Sequence, residues 1–120
     1  MNEPVRLIQV GMGPIGCALT PVLHEKRSIR IVGAVDIDPD LADLALGGLT
    51  ATPEIDIRIT GRLERALDSN PRVAVVTTVS SVEQVWEQIH PIIAAGVNVV
   101  STCEELSYPW KTHPSLAAEM

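Results

Sequence analysis

Phenylalanine is absent from these 120 residues, and two tryptophans and one tyrosine are the whole aromatic complement. A core built without large rings must be packed from valine, isoleucine, leucine and alanine, the composition of a parallel sheet buried on both faces. Cysteine is scarce too. Cys17 and Cys103 are too few and too far apart for a disulfide framework, no metal-type pair spacing occurs, and a reducing, cytoplasmic setting is expected. Positive charge is also short: 9 lysines and arginines face 15 aspartates and glutamates, a net charge of −6. That balance argues against a nucleic-acid or anionic-membrane surface, since both need a clustered positive field. The longest mostly apolar stretch, Pro91 to Val100, is interrupted by Gly96 and Asn98 and is far too short to cross a bilayer. Met1-Asn2-Glu3-Pro4 places no basic region before the first apolar run, so no signal peptide is expected. One acidic, soluble domain over residues 1–120, large enough to bury a core without staples, is the expectation.

What is present is an alternation of short β-branched runs with helical-period segments, the signature of βαβ units. Val5 to Val10 reads as the first strand, followed by a helix from Pro14 to about Lys26 that Pro21 should bend or end early. Ile29 to Val35 is the second strand. Asp38 before Pro39 reads as the cap of a short helix running to Leu46 and stopped by Gly47-Gly48. Ile55, Ile57 and Ile59 then alternate with Asp56, Arg58 and Thr60, the pattern of a third strand with one wet face at a sheet edge. Arg62 to Asp68 is a short helix, and Val73 to Val79 the fourth strand. Ser80 with Glu83 and Ser81 with Gln84 both have capping-box spacing for a helix that carries Val82, Val85, Trp86, Ile89 and Ile93 inward. Val97 to Thr102 is the fifth strand, Cys103 to Pro114 a loop or broken turn, and Ser115 to Met120 the start of a helix. The fold expected is an α/β, doubly wound parallel sheet of Rossmann type, strand order 3-2-1-4-5, truncated before a sixth strand.

Gly11-Met12-Gly13-Pro14-Ile15-Gly16 is G-x-G-x-x-G, a weak signal alone. Here it follows a strand, opens a helix, and precedes an acidic residue, Asp36, by 20 positions counted from Gly16. Gly11 would make the tight turn, Gly13 would let backbone approach a pyrophosphate, and Gly16 would allow helix to pack on strand. The helix N-terminus offers N–H groups and partial positive charge to phosphates. Pro14 donates nothing, which leaves Met12, Gly13, Ile15 and Gly16 as expected donors. A carboxylate at Asp36 accepts from the adenosine ribose hydroxyls and repels a 2′-phosphate, so NAD is the expected cofactor and NADP the alternative. Asp38 and Asp40 add to the negative field but read better as helix-start acids.

Ligands of open α/β sheets lie outside the carboxyl ends of the strands, at the switch point. That rule nominates Thr77, Thr78 and Ser80 after the fourth strand, and Thr102, Cys103, Glu104 and Glu105 after the fifth. Serines at strand ends equally well cap the next helix. Glu104 and Glu105 fall near where a nicotinamide would lie, and such a carboxylate can hold a substrate ammonium or exchange a proton with it. Solvated loop acids are the competing reading. Cys103 reads as a small buried residue, because no histidine is placed to activate it. His24, His90 and His113 share no ligand spacing, and no metal site is expected.

VGMGPIG at Val10 to Gly16, VGAVDIDP at Val32 to Pro39 and, most specifically, GVNVVSTCEELSYPW at Gly96 to Trp110 resemble the dihydrodipicolinate-reductase-like amine dehydrogenases, the group of 2,4-diaminopentanoate dehydrogenase. The resemblance implies reversible NAD(P)-dependent oxidative deamination of a small-molecule amine to a ketone through an imine. It also implies a homo-oligomer, contact of the amine with Glu104, with Glu105 as the alternative, and a second domain that builds most of the substrate pocket. Residues 1–120 then correspond to the cofactor-binding N-terminal part, expected to be inactive alone. Dihydrodipicolinate reductase, a homoserine or sugar dehydrogenase, and a non-catalytic NAD or CoA sensor are the competing assignments.

Overall fold

The computed structural model describes residues 3–120. Its elements are β1 (Val5–Val10), α1 (Pro14–Glu25), β2 (Ile29–Val35), α2 (Leu46–Leu49), α3 (Leu63–Leu67), β3 (Val73–Val76), α4 (Val82–Ala94) and β4 (Asn98–Ser101). A 3₁₀ turn over Glu104–Ser107 follows, then α5 (Pro109–Thr112) and α6 (Pro114–Glu119).

The strands form one parallel sheet in the order β2-β1-β3-β4. Val10 pairs with Val35 on one side and Val76 on the other, and Val76 pairs with Ser101, so all four strands end at one level. Side chains alternate across this sheet. Ile8 and Val10 face a core shared with Val85, Trp86, Ile89 and Ile92 of α4, while Leu7 and Ile31 face one that includes Cys17 and Leu23 of α1. Both faces are therefore covered, and the carboxyl edge is left to carry ligands.

One correction concerns topology. The sheet has four strands, not five in the order 3-2-1-4-5, because the wet-faced segment at 55–60 makes only isolated bridges, Thr60 to Val35 and Arg58 to Ala45. Its isoleucines are inside as the alternation implies, with Ile59 fully buried. Its backbone is divided between two neighbours. Thr60 exchanges bonds with Ala34 and Asp36 beside β2, whereas Ile57 and Ile59 bond to residues 43–46. No continuous ladder can grow from groups already spent on another partner.

Local expectations shift as well. The chain after Asp38 makes turns, and the helix begins only at Leu46, so Gly47 and Gly48 lie inside α2 rather than ending a helix. Gly47 is required there, since a Cβ would stand 2.5 Å from the Thr52 carbonyl oxygen. Helix α1 runs through Pro21 to Glu25 with Lys26 as its C-cap, so the proline brings no early end. Neither Ser80 nor Ser81 forms a capping box, for Ser81 occupies the N-cap of α4 without a side-chain bond. Strands three and four are shorter than read, stopping at Val76 and Ser101, because Thr77 to Ser81 and Thr102 to Cys103 turn away at the carboxyl edge.

Candidate functional site

The level carboxyl ends of β1, β2 and β3 open onto a cleft of about 540 Å³. Its floor is the turn between β1 and α1. Gly11 takes φ +101°, and a Cβ there would come within 2.8 Å of Thr78 Cγ2 and 3.0 Å of the Thr77 carbonyl oxygen. At Gly16 a Cβ would lie 2.1 Å from the Gly11 carbonyl oxygen, an overlap that no rotamer change relieves. Gly13 is the contrast, with nothing within 4 Å of the same position. Two glycines thus close the turn on itself, and the third leaves open space at the mouth of the cleft.

The hydrogen bonds of this turn fix which donors remain. Gly11 N–H donates to the Val35 carbonyl at 2.8 Å, and Met12 N–H to Asp36 Oδ2 at 2.7 Å. Met12 is therefore not a free donor, contrary to the reading of the motif, and its side chain is buried with 3 % exposure. The N–H groups of Gly13, Ile15 and Gly16 have no partner among the described residues, as the geometry of a helix start dictates. A run of unsatisfied N–H groups at the positive end of a twelve-residue helix is suited to an anion.

Asp36 lines the same cleft, just past the end of β2. Its Oδ1 accepts from the Asp38 N–H at 2.9 Å while Oδ2 holds Met12. A carboxylate oxygen has two lone-pair directions, so each of these retains one for a hydroxyl. Cys17, on the first turn of α1, donates from Sγ to the Met12 carbonyl at 3.2 Å. Burial, and after it the negative charge of Asp36, pushes this thiol above its ordinary pKa.

Of the residues expected at a cofactor, Gly11, Gly13, Pro14, Ile15, Asp36 and Thr78 line the cleft. Met12, Gly16 and Ser80 do not: the first two are buried, and the Ser80 carbonyl accepts from Cys103 Sγ at 3.2 Å. Thr77 secures the floor by donating to the Gly11 carbonyl at 3.1 Å, and the Thr78 hydroxyl bonds Gln88 of α4. Ile37 and Leu63 supply apolar walls that the motif did not reveal. Ile37 carried a usable signal, an isoleucine set among aspartates and 89 % exposed.

The two glutamates after β4 separate. Glu105 Oε1 accepts from the Val82 N–H at 3.2 Å, capping α4 from outside that helix. Glu105 Oε2 lies 3.7 Å from His113 Nδ1, and His113 Nε2 lies 3.5 Å from Glu83. Glu104 is exposed and makes no side-chain bond among the described residues. Neither carboxylate lines the cleft. Cys103 is buried at 4 % exposure, consistent with a packing role, and Tyr108 and Trp110 are exposed. Among the described residues no cluster of His, Cys, Asp and Glu is placed to hold a metal ion, and no helix is long and apolar enough to cross a membrane.

No protein-family model matches the chain. The 2,4-diaminopentanoate dehydrogenase of Acetoanaerobium sticklandii is 29 % identical over 121 aligned residues, covering 98 % of this chain and 34 % of that protein. The solved amine dehydrogenase from Mycobacterium smegmatis superposes with a TM-score of 0.90 over 96 % of this chain and 34 % of its own, at 29 % identity. The resemblance to the amine dehydrogenases holds. This amine-dehydrogenase-like chain also superposes on GenD2 from gentamicin A biosynthesis, solved in complex with NAD, with a TM-score of 0.63 and 30 % identity over 84 % of this chain and 27 % of that one. It spans about a third of the length of the relatives it matches.

Proposed function

We propose that residues 1–120 are the NAD-binding domain of an oxidoreductase that reversibly deaminates a small-molecule amine to a ketone. The observation that carries this reading is the open helix start: the N–H groups of Gly13, Ile15 and Gly16 are unbonded, Gly13 and Ile15 line the cleft, and Asp36 lines it from the end of β2. Those groups would hold the pyrophosphate, and Asp36 the adenosine ribose through its remaining lone pairs. Thr78 lines the same cleft from the end of β3, whereas Met12 acts through Asp36 by holding its carboxylate in place. Asp36, Asp38 and Asp40 concentrate negative charge at that end of β2 and disfavour a 2′-phosphate, which supports NAD over NADP.

Bound nicotinamide supplies the hydride acceptor and donor. Glu104 is the residue assigned to the amine: it holds the substrate ammonium, or takes its proton before hydride leaves the carbon. Glu105 is the weaker assignment because its carboxylate already caps α4. The relatives named for amine dehydrogenation are about three times longer than this chain, so the pocket around the amine is assigned to sequence outside it, and residues 1–120 alone are expected to lack turnover. Residues 1–120 alone are expected to self-associate or to be of modest stability, since among the described residues β4 has no strand paired on its outer edge and Val100 is 58 % exposed.

Fluorescence titration of the chain tests the cofactor. NADH should bind roughly tenfold or more tightly than NADPH, and Asp36→Ala should narrow that gap. Equal affinities in the wild-type chain would remove the case for NAD. For the reaction, the full-length protein should reduce NAD with an amine and release ammonia, and screening amines and diamino acids would identify the substrate.

A further inference from the structure

β1 is the central strand of a sheet covered on both faces, where an unbroken apolar run is the norm, yet it carries a glutamine. Gln9 is 1 % exposed. Its Nε2 donates to the Gly16 carbonyl at 3.0 Å, and its Oε1 accepts from the Thr20 hydroxyl at 2.8 Å. Thr20 is fully buried on the next turn of α1, and its hydroxyl also lies 3.0 Å from the Gly16 carbonyl. The three residues close a ring in which Gln9 is the only member outside the helix. No buried side-chain N or O atom among the described residues lacks a partner, so each polar side-chain atom of the ring has at least one.

Apolar contacts alone would hold α1 against the sheet but leave it free to slide or roll by fractions of an ångström, because dispersion is not directional. A buried amide bonded at both ends specifies one rotation and one height of the first helical turn. Gly16 is the residue at which that specification is applied; its N–H is one of the unbonded donors of the helix start, whose neighbours Gly13 and Ile15 line the cleft. From this the geometry points to Gln9 and Thr20 as positioning residues for the cofactor. They set the aim of the Gly13, Ile15 and Gly16 N–H groups at the pyrophosphate without touching it. The inference rests on the cofactor reading above.

Thr20→Val keeps the shape of the side chain and removes the hydroxyl, leaving Gln9 Oε1 without its donor; Thr20→Ser restores it. Gln9→Leu removes the amide. Each is titrated with NADH, ADP and adenosine at a temperature where urea unfolding shows the variant fully folded. Thr20→Val and Gln9→Leu should weaken NADH and ADP by roughly tenfold, in keeping with small displacements of positioned groups. Adenosine, which has no phosphate, should bind as it does to the wild type, and Thr20→Ser should return NADH affinity to within about twofold. A Thr20→Val chain that is less stable yet binds NADH as tightly as wild type overturns the inference and leaves the ring a purely structural feature. Loss of adenosine binding in parallel with ADP overturns it as well. Should Gln9→Leu not fold, the Thr20→Val and Thr20→Ser pair decides the matter unaided. A wild-type chain that binds neither NADH nor NADPH overturns the cofactor reading, and this inference with it.

Discussion

Around the β1–α1 turn, the groups that shape the backbone are answered from several elements at once: Gly11 by β2 and Thr77, Met12 by Asp36, Gly16 by Gln9 and Thr20. Past β4 the chain instead breaks into helical pieces of four, four and six residues. These are fastened to α4 by single side chains, Glu105 at Val82, His113 at Glu83 and Glu119 at Trp86 Nε1, the last at 3.3 Å. The first region is rigid because steric exclusion and converging bonds both fix it. The second rests on those partly exposed polar contacts, each worth little by itself, and on Leu106, Leu116 and Ala117 packed at the margin of the core. A cradle for a constant ligand suits the former, and a segment that a larger assembly would complete suits the latter.

The sharpest way to break that contrast is to add one carbon to the rigid region. Gly16→Ala places its Cβ against backbone, and the turn must open; a loss of about 3 kcal/mol in urea unfolding is expected, with NADH binding abolished. Gly13→Ala, facing open space, should leave stability within about 0.5 kcal/mol of wild type while still weakening NADH. Near-normal stability of Gly16→Ala would show that the turn yields more easily than its packing implies.

Next in size are effects in the second region, and they should dissociate. Glu104→Gln in the full-length protein should lower kcat by roughly a hundredfold with no change in unfolding midpoint, as for loss of a proton-handling group. Full activity in that variant would remove Glu104 from the mechanism. Glu105→Ala should do the reverse at the level of the fold. Losing the external cap on α4 should cost about 1 kcal/mol and speed hydrogen exchange across residues 104–119. Unchanged exchange there would mean that the segment is held by apolar packing alone.

This difference between regions also governs what can be read from the chain. The glycine turn is legible because each glycine answers a local steric demand, and residue type states that demand directly. Asp36 was found by spacing for the same reason. Residues 55–60 carry the alternation of a strand without forming one, because alternation reports which side chains are buried, and Ile59 is buried, but says nothing of where the backbone bonds go. Gln9 went unnoticed since its partner carbonyl is seven residues away and across an element boundary. Glu105 was paired with Glu104 by adjacency, yet its bond is to Val82, 23 residues distant. Local geometry is encoded locally; a side chain's assignment to a remote partner is settled only by the packed fold.

The smallest expected effect returns to the rigid region through Cys17. Burial and the nearby Asp36 carboxylate both disfavour its thiolate, so the native thiol keeps its proton to higher pH than the unfolded one. Below the ordinary thiol range both states are protonated and stability is unaffected. As pH rises above about 8.5 the unfolded thiol ionises first, and native stability falls until the raised native value is passed. Urea midpoints between pH 7.5 and 10 should therefore decline slightly more steeply for the wild type than for Cys17→Ala. Alkylation of Cys17 by iodoacetamide should be slower than that of a free thiol, and Asp36→Asn should accelerate it by lifting the electrostatic contribution. Wild-type and Asp36→Asn chains alkylated at equal rates would show that burial alone protects the thiol, and that the Asp36 carboxylate does not govern the electrostatics beneath the glycine turn.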